Sequence, residues 1–242
     1  MRSNAENLIL LFEDGTSFLV SRKKDFHSHF GSIKSSELKL GKLRTSKGCI
    51  CYALKPSFVD LFWRIKRAAQ VVLPKDAALI LAEAMPGRNA IVIEAGVGSG
   101  MLGAFFAQYC KKVVSYDVRK SFIRVAKQNR DFLKLKNWTI KEGDARKGFD
   151  EKNADLIVLD LPYPHECLDA CKSALKRGGF LSTYLPNMTQ VIQFVNSLKE
   201  KGFVYLKTLE VFKREWIIKE KIARPEHHAL SHTGFLSFAR KV

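Results

Sequence analysis

The decapeptide IVIEAGVGSG, Ile91 to Gly100, constrains the fold of this chain more than any other stretch. An apolar β-branched run ends in a carboxylate, Glu94, and enters a turn with glycine at alternate positions, Gly96, Gly98 and Gly100. Lacking a Cβ, these positions reach positive φ and leave backbone amides open to a ligand at the mouth of the next helix. A strand, a glycine turn and a helix in that order open a parallel α/β sheet with a ligand crevice beyond its strand ends. The turn alone does not choose the ligand. Gly98, Gly100 and Gly103 spell G-x-G-x-x-G, so a nicotinamide dinucleotide is one reading.

Spacing downstream narrows the choice. VVSYDVRK places Asp117 at a second strand end, 17 residues past Gly100, where a carboxylate can accept both hydroxyls of a ribose. Asp144, in EGDAR, follows the short apolar run Trp138 to Ile140, and Asp160 closes ADLIVLD in front of LPYP. Glu94, Asp117, Asp144 and Asp160 are therefore expected to converge on one crevice. This pattern resembles that of the class I S-adenosylmethionine-dependent methyltransferases. The resemblance implies that Glu94 fixes the glycine loop and that Gly96, Gly98, Ser99, Gly100, Met101 and Leu102 line the methionine end of the cofactor. It puts Asp117 at the ribose, Asp144 with Ala145 at the adenine, and Asp160 at the border with the methyl acceptor. The nicotinamide reading leaves two features without a use: the turn starts already at Gly96, and Asp160-Leu-Pro-Tyr-Pro has no task in hydride transfer.

Charge points to the partner. Across 242 residues, 41 Lys and Arg stand against 24 Asp and Glu, a net charge of +17 that suits a polyanion. The excess is concentrated: Arg22 to Arg67 holds 12 basic residues and three acids. Arg22, Lys23, Lys24, Arg64 and Arg67 are the candidate phosphate contacts, and nucleic acid is the expected partner. No run approaches a membrane span, and the acidic residues behind the first apolar segment do not suit a signal peptide, so a cytoplasmic protein is expected. Five cysteines fit a reducing compartment. Cys49-x-Cys51 and His27-x-His29 each put two metal-capable side chains on one strand face, but zinc sites usually space their cysteines more widely, and no metal is expected.

Along the chain, Leu8 to Phe12, a turn at Asp14-Gly15, and Ser17 to Ser21 read as a hairpin, and Gly41 to Lys55 adds two strand-like pieces. Residues 1–55 are thus expected to form a small β-rich domain, and 56–242 a catalytic domain with a helical lead-in. Pro56-Ser57 opens a helix with Phe58, Leu61, Phe62 and Ile65 on one face, and a second helix runs from Pro74 to Met85. From Ala90 strands and helices alternate, the mark of a mostly parallel, Rossmann-like sheet. The tail departs from this: GFVYLKTLEVFKR, EWIIKEKIA and TGFLSFARKV read as three strands without helices between them, suited to an antiparallel sheet edge.

FHSHFGSI, LRTSKG, LKPSFVDLFWRIKRAAQVVLPKD, IEAGVGSG, SYDVRKSF, LDLPYP, RGGFLSTYLPNMTQV and RPEHHALSHTGFLSFARKV, in this order, are similar to the TrmI-type tRNA (adenine-N1)-methyltransferases, which act on the T-loop adenine at position 58. The similarity covers essentially the whole chain, and its Leu54 to Asp76 block and tail are far more specific than the glycine loop. It implies S-adenosylmethionine as cofactor, tRNA as substrate, a homotetramer, and, in some archaeal members, methylation of the adenine at 57 as well. It also gives Asp160 the task of holding the adenine amine and stabilising the cationic product. Arg224, His232 and Thr233 match the closing motif of the family. One departure stands out: the family often has an aromatic residue or histidine before Pro-Lys-Asp, suited to stacking on the base, where this chain has Leu73. DLPYP is also similar to the D-P-P-Y loop of N6-adenine methyltransferases. That reading, and a non-catalytic RNA-binding protein, are the alternatives.

Overall fold

Asp14 and Gly15 reverse the chain as their residue types require. The Asp14 carboxylate accepts the Thr16 amide at 2.9 Å and Gly15 takes a φ of 86°, so β1 (Asn7–Phe12) pairs antiparallel with β2 (Ser17–Ser21). The computed structural model describes residues 7–68, 70–227 and 232–242. The first residues of the expected N-terminal domain and residues 228–231 of the tail motif lie outside these. After β3 (Phe26–Ser28) and β4 (Gly31–Ile33), β5 (Gly41–Arg44) and β6 (Ile50–Leu54) complete a four-stranded sheet of order β2-β1-β6-β5. Its core is aromatic: Phe12 and Phe30 stack with centroids 4.1 Å apart over Leu8, Leu10 and Ile33.

Two sequence expectations change here. His27 lies in β3 but His29 sits in the turn before β4, which Gly31 closes at a φ of 108°, so the two histidines do not share a strand face. Among the described residues no group of three or more His, Cys, Asp or Glu is placed to hold a metal ion. The chain also divides elsewhere than after residue 55: the compact units are Met1–Ile65 and Lys66–Val242. Helix α1 (Phe58–Phe62) belongs to the first unit because Arg64, just past its end, donates to the Ser17 carbonyl at 3.0 Å and to the Ser17 hydroxyl at 2.8 Å on β2.

The second unit begins with α2 (Pro74–Ala84) and then alternates: β7 (Ile91–Ala95), α3 (Met101–Phe106), β8 (Lys112–Asp117), α4 (Lys120–Leu133), β9 (Trp138–Glu142), β10 (Ala154–Leu159), α5 (Leu168–Ala174), β11 (Leu175–Leu185) and α6 (Met188–Leu198). It closes with β12 (Phe203–Leu209), β13 (Trp216–Lys219), β14 (Ile222–Pro225) and β15 (Phe235–Lys241). The sheet order is β12-β15-β11-β10-β7-β8-β9, parallel from β11 to β9, with β15 antiparallel to both its neighbours. Unbroken apolar strands such as Leu156 to Leu159 are what a sheet covered on both faces demands, and those residues are fully buried. The strand order reverses between β7 and β10, which opens a crevice at their carboxyl ends. The antiparallel edge is as the sequence predicts, except that EWIIKEKIA is not one strand. Glu220, at a φ of 48°, folds it into the separate β13–β14 hairpin. No helix among the described residues is long and apolar enough to cross a membrane.

Candidate active site

Glu94 is the penultimate residue of β7 and is 1% exposed. Its carboxylate accepts the Ser115 hydroxyl from β8, and Ser115 in turn accepts the Trp138 indole N–H at 2.8 Å. Burial raises the Glu94 carboxyl to about 8, opposed by the Ser115 hydrogen bond and reinforced by the charges of Asp160 and Asp117. Glu94 thus sits beneath the glycine loop. Above it, Gly96 takes a φ of 95°, and a Cβ there would run into the Asp160 backbone carbonyl. The Asp160 amide donates to the Ala95 carbonyl at 2.9 Å, so this glycine is where the ends of β7 and β10 touch. Gly98 straps the loop to β8 by donating its amide to the Asp117 carboxylate at 3.2 Å.

Five of the expected residues, Gly96, Asp117, Asp144, Ala145 and Asp160, border one cavity of about 400 Å³. Glu94, Gly98, Ser99, Met101 and Leu102 border a second, smaller space of about 10 Å³, which Gln70, Val71 and Val72 also line. Gly96 and Asp160 belong to both. Gly100 borders neither: it starts α3, and a Cβ there would strike the Trp138 ring. The chain before these lining residues is anchored by Asn129 of α4, which holds the Lys66 amide at 2.9 Å and the Ser99 carbonyl at 2.8 Å, while the Ala68 amide donates to the Ser99 hydroxyl at 2.7 Å.

The acids differ in their partners. Asp117 accepts the Arg119 amide at 2.9 Å and its guanidinium Nε at 3.1 Å, and Arg119 lies over the Phe122 ring at 3.8 Å. Asp144 accepts the Arg146 amide at 3.0 Å and its guanidinium at 2.8 Å, and hydrogen bonds from Arg146 hold its carboxyl below the usual range. Arg146 also reaches Glu166 at 3.3 Å. Asp160 is half-buried; burial raises it to about 7, with the Arg119 charge opposing and the Asp117 charge adding. Cys167 borders the cavity as well, but burial pushes its thiol up to about 12, which leaves it a neutral wall.

Arg119, Arg146 and Asn129 are absent from the sequence-level site. A signal for the first two exists: Asp117-Val-Arg119 and Asp144-Ala-Arg146 share the spacing Asp-x-Arg, and in both the carboxylate accepts the amide two residues on, the turn that brings the guanidinium back. Of the candidate phosphate contacts, Arg22, Lys23, Lys24 and Arg67 are exposed. Arg22 donates Nε to the Leu38 carbonyl at 3.1 Å, and Arg64 is half-buried in its bonds to Asp60 and Ser17, so these two brace the first unit. Arg224 lies in β14 and donates to the Pro225 carbonyl at 3.2 Å. His232 bridges Glu210 and the Pro186 carbonyl, its ring raised above the usual value by the Glu210 hydrogen bond. Thr233 accepts Lys75 at 2.7 Å beside the buried Asp76.

The cavity fits a nucleoside-bearing cofactor. Its volume falls within the range of small-molecule sites, two of its acids can accept hydroxyl or amine donors, and its walls at Ala95, Val118 and Leu161 are apolar. Comparisons with known proteins agree. Residues 50–222 match the family model of the tRNA methyltransferase complex GCD14 subunit. The chain is 33% identical to the tRNA (adenine(57)-N(1)/adenine(58)-N(1))-methyltransferase TrmI of Methanocaldococcus jannaschii, covering 96% of this chain and 94% of that protein. It is also 33% identical to the tRNA (adenine(58)-N(1))-methyltransferase TrmI of Thermus thermophilus, over 97% and 96% of the two chains. A crystal structure from Thermotoga maritima described as a SAM-dependent O-methyltransferase superposes with a TM-score of 0.90 at 34% identity, covering 100% of this chain and 94% of that one. The TrmI structure from Aquifex aeolicus, at 23% identity and a TM-score of 0.84 over 98% and 97% of the two chains, shares the fold. The Rossmann-like sheet, the crevice at its switch point and these matches lead to one assignment: the chain belongs to the GCD14/TrmI family of tRNA methyltransferases.

Proposed function

We propose that this protein transfers a methyl group from S-adenosylmethionine to N1 of the T-loop adenine of tRNA, at position 58 and, as the archaeal relative's name includes it, at 57. The observation that carries the reading is the convergence of Asp117, Asp144 and Asp160 on one cavity, with Asp160 also bordering the space under the glycine loop. Bound there, S-adenosylmethionine supplies an electrophilic methyl group. Asp117 holds the ribose hydroxyls, Asp144 with Ala145 the adenine, and the glycine loop from Gly96 through Leu102 the methionine end.

The acceptor needs no strong base, because adenine N1 carries its own lone pair; methylation leaves the ring cationic. Asp160 accepts the exocyclic amine and faces that growing charge. Burial raises this carboxyl to about 7 and a neighbouring positive charge favours its ionised form, the form that accepts the amine and attracts the ring as it becomes cationic. The attraction is then stronger in the transition state than before it, which is the condition for acceleration. The target base is normally stacked in the tRNA elbow and must be brought out to reach this site. Lys23, Lys24 and Arg67 contribute phosphate contacts, and the first unit grips the tRNA. A homotetramer working in the cytoplasm completes the reading.

The test is transfer from labelled S-adenosylmethionine to an unmodified tRNA transcript, followed by nucleoside mass analysis, beside a transcript with the position-58 adenine replaced. Label in 1-methyladenosine that falls with the replacement, the remainder carried by the adenine at 57, is the expected result. Label in N6-methyladenosine, or none in either RNA, overturns it.

A further inference from the structure

We infer that Tyr163 is the platform on which the target adenine stacks, a role that rests on the proposed transfer to an extracted base. Tyr163 borders the 400 Å³ cavity on the same loop as Asp160, and yet it is 57% exposed. The residue two before it, Leu161, packs against the buried core instead. An aromatic ring left in water at the rim of a binding cavity presents a flat apolar face to whatever enters there.

The loop behind the ring is braced. Tyr163 lies between Pro162 and Pro164, which restrict the backbone on both sides. The Pro162 carbonyl accepts the Gln190 side-chain amide from α6 at 2.9 Å, and the Tyr163 carbonyl accepts the Glu166 amide at 3.2 Å. His165 meets the tyrosine ring edge-on, centroids 6.2 Å apart at 85°, and its own Nε2 is hydrogen-bonded to Gln193 at 3.0 Å. Two side chains of α6 therefore set the position of an aromatic pair beside the acid proposed to read the adenine amine. Leu73, the aliphatic residue where the family often carries a stacking side chain, is half-buried at the start of α2 and borders neither cavity. Tyr163 supplies the π-face that Leu73 cannot. Stacking holds any base in the plane, and Asp160 selects the one with an amine beside a ring nitrogen lone pair.

The experiment compares Tyr163→Phe, Tyr163→Leu and Tyr163→Ala with the wild type in methyl transfer to the unmodified transcript. KM for tRNA, kcat and S-adenosylmethionine affinity are measured separately, with 2-aminopurine at the target position reporting stacking by its quenching. Phe should match the wild type. Leu, which keeps apolar volume without a π-face, and Ala should lower kcat/KM for tRNA by about five-fold to more than a hundred-fold, the range that one base–aromatic stack carries, and should lose the quenching while binding S-adenosylmethionine normally. A Leu variant as active as the wild type, or losses in cofactor binding equal to those in transfer, overturns the inference while leaving the activity intact. A wild-type enzyme that methylates no tRNA base overturns the activity and the inference together.

Discussion

Asp117 and Asp144 stand at one end of the crevice with arginines laid against them, whereas Glu94 and Asp160, on the two central strands, have no salt bridge among the described residues. All four are acids at or just past the carboxyl ends of parallel strands. Their environments split them: Arg146 holds the Asp144 carboxyl below its usual range, while burial lifts Asp160 to about 7 and Glu94 to about 8. Arg146 keeps Asp144 ionised and ready to accept donors from a ligand. Unpaired, buried acids are held near neutrality, and one of them becomes useful where a positive charge arrives. One sequence motif thus yields two kinds of group, and burial and partners decide which.

The largest test of that division is Asp160→Asn. Methyl transfer should fall about a hundred-fold or more, the scale of losing one preorganised electrostatic contact, while S-adenosylmethionine affinity stays within a few-fold by titration calorimetry. Retained activity would break the comparison. Asp117→Ala should do the reverse, weakening cofactor binding by about ten- to a hundred-fold, as expected for hydrogen bonds to a charged group, with the tRNA KM little changed. Equal losses in both parameters would blur the two ends.

Stability against pH reads the unpaired acids directly. A carboxyl raised from 4.5 to about 8 binds its proton more tightly in the folded state, so its contribution favours folding at low pH and is lost as pH rises through that window. The Tm of Glu94→Gln should therefore vary less with pH between about 5 and 8 than that of the wild type; parallel curves would remove Glu94 from the unpaired class. The smallest effect is expected from Arg119→Ala. Because Arg119 lowers Asp160, its loss should move the acid limb of the kcat/KM profile to higher pH, since that limb reports the free enzyme. An unmoved acid limb would show that Asp160 does not feel Arg119.

Much of the site is legible without the structure because its signals are local. Gly96 and Gly98 announce positive φ, and the β-branched runs before Glu94, Asp117 and Asp160 announce buried parallel strands. Gly100 carries the same signal for a different reason, since its missing Cβ makes room for Trp138, a residue 38 positions along the chain. His29 looks like a strand partner of His27 until Gly31 bends the chain, and Glu220 turns an expected edge strand into a hairpin. Arg22 and Arg64 read as free cations until the carbonyls they serve are seen.

The sequence by itself determined the order of strands and helices, the place of the crevice and three acids on it, Asp117, Asp144 and Asp160, because hydrophobic period, glycine spacing and residue type act over a few neighbouring residues. Only the tertiary structure decided which acids lie against arginines, which arginines are tied down and which ring stands open at the rim. Those properties depend on burial and on partners brought together from distant parts of the chain, and no local pattern encodes the distance between them.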